Sequence, residues 1–217
     1  MNREERKKKI ENFWYYYKWH VIIGIFVVII AAYTIHDAVT KVNPDISIDC
    51  IIDKGIGYSS TDAIVADLET NGGIADNNQD GNIKVAMTLS QTGRDPSSAT
   101  AEGSMMEVVQ LRMAVGEANI IISEPYILEL YEEHDIFDDL TAIADEMNIP
   151  QERRYMSYDG TKVIAIKLDN NEFMTKQGLV TEDCYLALRV LNLNQQDDEE
   201  KIRQFENAKD VAKYIIK

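Results

Sequence analysis

The chain has 217 residues, with 22 Lys and Arg against 37 Asp and Glu, a formal net charge of -15. Residues 1–40 hold six basic and four acidic side chains, which leaves 16 basic and 33 acidic, a net of -17, for the 177 residues that follow. So acidic a stretch repels nucleic acid and anionic lipid, which excludes a nucleic-acid role, and its size allows one domain whose core needs no disulfide or metal.

Residues 1–12 form a basic tail carrying Arg3, Arg6, Lys7, Lys8 and Lys9. From Phe13 the sequence runs FWYYYKWHVIIGIFVVIIAAYTIHD, and at about 1.5 Å per residue this stretch crosses a hydrocarbon layer of about 30 Å. Residues 13–36 are therefore expected to form a transmembrane helix in contact with the lipid bilayer. Trp14, Tyr15, Tyr16, Tyr17 and Trp19 form an aromatic belt suited to the headgroups, and Lys18 can snorkel there. Basic residues precede the span while only Lys41 closely follows it, which places the N-terminus in the cytoplasm and the rest outside the cell. The rival is a cleaved secretory signal ending at Ala32, but no polar region precedes that point. Cys50 follows no lipobox, which argues against a lipid anchor.

Residues 37–44 read as a linker and 45–217 as one extracellular domain. Ile46, Ile48, Cys50 and Ile52 alternate along a strand from Asp45 to Asp53. A helix over Thr61 to Thr70 is opened by a Ser59/Asp62 capping box and ended by Gly72-Gly73. Ile83 to Leu89 alternates as a second strand, Ser104 to Val115 reads as a helix closed by Gly116, and NIIIS (119–123) is a strand covered on both faces. Ser123 and Pro125 open a helix reaching about His134, and a further helical turn or two follows in DIFDDLTAIADEMNI. YMSYDGTKVIAIKL reads as a hairpin with a type I′ Asp-Gly turn. A strand over Asp183 to Leu191 precedes a helix from Glu199 to Ile216, with Ile202, Phe205, Ala212 and Ile215 spaced to face a sheet. The alternation defines an α/β fold: a single three-layer domain with a mixed, mainly parallel sheet.

Asp76, Asn78 and Asp80, followed by Gly81, match the opening of a calcium loop, where oxygens at alternate positions converge on a hard cation. Position twelve, where a bidentate Glu belongs, is Met87, so the alternatives are weak Ca²⁺ binding and a plain Asx/Gly turn. No other cofactor is implied. Ligands of open α/β sheets bind beyond the carboxyl ends of parallel strands. That rule singles out Lys54, Gly55, Gly57 and Tyr58 after the first strand, Gln91 and Arg94 after the second, and Ser123 and Glu124 after the third. Ordinary turn glycines and helix caps account for the same residues. Neither a dinucleotide fingerprint nor a P-loop occurs, and no H-E-x-x-H or G-x-S-x-G motif suggests catalysis, so an enzyme is not expected. Cys50 and Cys184 lie in apolar runs and read as buried thiols, an exported setting also permitting a disulfide.

Several phrases together resemble bacterial extracellular solute-binding proteins. Residues 114–119 (AVGEAN) lead a helix into a strand, 135–140 (DIFDDL) follow, and 158–163 (YDGTKV) resemble the next phrase of those proteins. The FWYYYKWH segment is similar to the anchor of uncharacterised single-pass membrane proteins of Gram-positive bacteria. The resemblance covers about residues 45–168 and implies one solute-binding-like lobe, a non-catalytic binding or accessory module. Its partners would be a small-molecule ligand or a neighbouring membrane protein. The chain is too short for the usual two lobes, so closure of one lobe on another is not implied. A structural or assembly factor of the cell envelope is the alternative.

Overall fold

A computed structural model describes residues 3–40, 43–52, 58–90, 102–116, 118–169, 171–178, 182–192 and 195–217. The chain divides into two compact units, 1–42 and 43–217. The first is a single helix, α1 (Arg3–Thr40), whose stretch Phe13–His36 is long and apolar enough to cross a membrane. Its apolar side chains lie open on every side, as a helix apolar all round requires. Residues 37–40, expected in the linker, are instead its last turn.

In the second unit β1 (Ile46–Ile51), α2 (Tyr58–Asn71), β2 (Val85–Ser90), α3 (Glu102–Val115) and β3 (Ile120–Ser123) alternate as expected. Then come α4 (Pro125–Tyr131), a 3-10 turn, α5 (Thr141–Glu146), β4 (Arg154–Met156), β5 (Val163–Lys167), α6 (Glu172–Lys176), β6 (Tyr185–Leu188) and α7 (Glu199–Ile216). The six described strands lie in the order β2-β1-β3-β6-β5-β4. β1 pairs in parallel with β2 and β3, whereas β3-β6, β6-β5 and β5-β4 are antiparallel. The sheet is mixed, but its pairings are not mainly parallel, because the chain re-enters through β6 between β3 and β5.

Helices cover both faces. Ile46, Ile48 and Cys50 of β1 with Ile120 and Ile122 of β3 pack against α2, α5 and α7. Ile51 and Ile121 point the other way, onto Val109 and Met113 of α3 and Ile127 and Leu128 of α4. The alternation of β1 thus serves two cores rather than a core and solvent.

Four local expectations change. α2 begins at Tyr58, so Ser59 lies inside the helix and not at its cap. Ser123 ends β3, and the N-cap of α4 is Glu124, which makes no side-chain capping bond. On α7 the buried stripe is Gln204, Asn207, Ala208, Val211, Ala212 and Ile215, turned away from Ile202, which is 38% exposed. The β4-β5 turn is not type I′. Gly160 N donates to Ser157 O at 2.8 Å, so the central residues are Tyr158 and Asp159, neither with positive φ, and Gly160 at +70° closes the turn.

The carboxylate of Asp159 explains that turn. It accepts from Ser157 Oγ (2.6 Å), Thr161 N (3.1 Å) and Thr161 Oγ1 (2.8 Å), bonds that hold its carboxyl down at about 2. A folded pKa below the unfolded value of about 3.9 stabilises the turn fully above that pH, and the benefit is lost as pH falls through about 2. An NMR pH titration of the Thr161 amide should show its midpoint near the lower value. A midpoint near 4 would contradict the network.

α3 ends at Gly116, whose φ of +73° excludes other residues without strain. A Cβ there would fall 2.8 Å from Arg189 Nε. Gly116→Ala is expected to cost at least about 1–2 kcal/mol from the left-handed backbone alone. Urea denaturation of the full chain measures it: a cost no larger than this would show the guanidinium free to withdraw, and unchanged stability would contradict the left-handed backbone.

Candidate functional site

The chain leaves β1 for β2 on one side and places β3 on the other, so the connections diverge at the carboxyl ends of β1 and β3. This is the position at which open α/β sheets take ligands. Ser90 ends β2 at 4% exposure, and its carbonyl accepts from Ile52 N at 3.0 Å. Ser123 ends β3 fully buried, and its Oγ has no hydrogen-bond partner among the described residues. Glu124 follows, and its carbonyl accepts from Ile127 N at 3.1 Å to close the first turn of α4. Tyr58 starts α2 at the same edge. Lys54, Gly55, Gly57, Gln91 and Arg94 lie outside the described residues. The described rim of the site is thus a buried hydroxyl beside a helix start and a carboxylate-bearing residue.

The Asp76–Asn82 loop folds on its own amides. Asp76 Oδ2 accepts from Gly81 N (2.8 Å), Asn78 Oδ1 from Asp80 N (2.9 Å) and Asp80 Oδ1 from Asn82 N (2.8 Å). These are Asx-turn bonds that shape the loop without a cation. Asp76 Oδ1 is buried with no partner among the described residues, where no group of three or more His, Cys, Asp or Glu is placed to hold a metal. Met87 lies half-buried in β2.

Asp45 and Asn77 anchor this loop and were not legible as functional or structural residues. Asp45, fully buried, accepts from Asn77 N at 2.7 Å and Lys84 N at 2.9 Å, while Asn77 Nδ2 donates to its carbonyl at 3.0 Å.

Two further features were hidden in the sequence. Asp49, at the middle of β1 and 3% exposed, accepts from Arg112 Nε at 3.1 Å and from its Nη2, a bidentate ion pair between β1 and α3. Asp49 breaks the apolar run of ISIDCII, a signal that a buried partner was needed. A cleft of about 410 Å³ between the 3-10 turn and the hairpin is lined by Glu132, Glu133, Asp135 and Asp159 with Lys162. Tyr155 OH donates to Glu132 Oε2 at 3.2 Å, and burial together with that carboxylate pushes the phenol up.

Cys50 and Cys184 are buried and form no disulfide. β3 separates their strands, which puts the backbones about 9.5 Å apart, beyond disulfide reach. Burial pushes the Cys50 thiol up, with Cys184 and Asp49 adding to the effect, so it is not a thiolate nucleophile.

No family model, curated protein or solved structure matches the chain.

Proposed function

We propose that the protein is a membrane-anchored extracellular binding or accessory module, non-catalytic, built on one solute-binding-like lobe. The observation that carries this reading is the buried Ser123 hydroxyl at the switch point of β1 and β3, without a partner among the described residues. A buried hydroxyl without a partner costs about 1–3 kcal/mol, and a ligand's polar group restores the bond. α1 supplies the tether, and the basic residues before Phe13 set the N-terminus in the cytoplasm. Confinement to a bilayer surface suits work beside a membrane-bound partner.

The test is a thermal-shift panel of sugars, amino acids, peptides and calcium on the full chain in nanodiscs. A ligand at 100 times its Kd adds about 2.7 kcal/mol, and Ser123→Ala should remove that gain. Calcium, lacking a ligand at position twelve, should give no saturating shift below about 1 mM, with Asp80→Ala as its control. Silence across the panel would favour the second reading, a structural or assembly factor of the cell envelope. That reading is supported by Val108, Leu111 and Val115, apolar residues 46%, 64% and 53% exposed on α3.

A further inference from the structure

β6 runs on into Arg189, which meets the end of α3 at the amino-terminal edge of β3, the opposite edge from Ser123. Leu188 pairs with Ile120 and Tyr185 with Ser123, and Arg189 N donates to Asn119 O at 3.0 Å. Arg189 is only 7% exposed, and its Nε is buried with no hydrogen-bond partner among the described residues. Asp49 is near enough to attract it, yet both Asp49 oxygens already accept from Arg112. One buried carboxylate therefore faces two guanidinium groups. Among the described residues a positive charge is left over, and an unpaired buried charge is costly.

Beside this charge lies a cavity of about 470 Å³, within the range of small-molecule sites. Its polar lining is Arg189, Gln110 and His134, and its apolar walls include Met113, Leu130 and Tyr131. Leu130 is 52% exposed, so solvent reaches the walls. The lining combines a planar fork of N–H donors with apolar and aromatic surface. Such a fork matches a carboxylate, and the apolar walls desolvate whatever body the carboxylate carries. A dianion such as phosphate suits the site less, since Arg189 is the one permanent cation among the described lining residues and the acidic domain repels a second negative charge.

We propose that this pocket binds a small organic monocarboxylate with an apolar or aromatic body, the carboxylate on Arg189 and the body between Met113, Leu130 and Tyr131. The site is independent of the switch-point reading and stands or falls without it.

The test titrates the full chain in nanodiscs with phenylacetate and with its neutral isostere phenylacetamide, followed by calorimetry. Phenylacetate should bind with a Kd of about 1 mM or below, and phenylacetamide at least about tenfold more weakly. Arg189→Met should weaken phenylacetate binding at least about tenfold. Ala114→Phe, on an exposed wall position, should block the pocket and remove binding. Should Arg189→Met fail to fold, the acid-amide comparison and Ala114→Phe decide alone. Equal affinity for acid and amide, no phenylacetate binding up to about 10 mM, or binding unchanged in Ala114→Phe would each overturn the proposal.

Discussion

Asp49→Ala is expected to destabilise the α/β unit by about 3 kcal/mol, the lower end for breaking a buried ion pair from one side, because the Arg112 side chain keeps 33% exposure. Asp49 is 3% exposed in the middle of β1, and its loss leaves Arg112 and Arg189 without their shared counter-charge. The double variant Asp49→Ala/Arg112→Met should recover part of the loss, because replacing a whole buried pair by apolar atoms is often close to neutral. The cysteines give a direct readout. Both are buried in this unit, whereas Trp14 and Trp19 lie in α1 and report only on that helix. Alkylation of Cys50 and Cys184 across a urea gradient therefore follows the unfolding of interest. A cost under about 1 kcal/mol for the single variant would mean that the pair is not buried as described.

Asp45→Ala should cost about 3 kcal/mol. Its carboxylate is fully buried and receives the Asn77 and Lys84 amides, so removal orphans two N–H groups and unpins the loop from β1. Hydrogen bonds to a charged acceptor are worth about 1.5–3 kcal/mol each, and part of the loss is recovered by solvent entering the loosened loop. Asp45→Asn should fall near 2 kcal/mol, since the amide keeps one acceptor and turns a donor against the second N–H. Asp80→Ala, exposed in the same loop, should stay within about 0.5 kcal/mol. The contrast separates a loop held by Asp45 from one held by the calcium-like residues, and equal costs for the two would argue against the hydrogen-bond pattern.

The sequence announced what depends on neighbours along the chain. α7 was legible over Glu199–Ile216 because its amphipathic period is long, and Asp198 caps it by accepting from Glu200 N and Lys201 N. β1 and β3 were legible from alternation and from an unbroken apolar run. Ser123 was misread as a cap because a serine before proline fits both a helix start and a strand end, and only the pairing with Tyr185 decides. The Asp-Gly turn was misread because Asp159 Oδ1 accepts from both Ser157 and Thr161, which selects another turn geometry. Asp49 and Arg112 are 63 residues apart, and Arg189 joins them only because β6 inserts beside β3. No local pattern encodes that insertion, so the buried charges and the pocket they border could not be located from periodicity.

The position of β1 carries a mechanical consequence. On the reading that α1 is anchored in a bilayer, tension drawn through it enters the second unit at Asn43 and reaches β1 three residues later. β1 is gripped on both sides, by six register pairs with β2 and four with β3, both pairings parallel. A load running along the strand shears those hydrogen bonds together and does not unzip them one at a time.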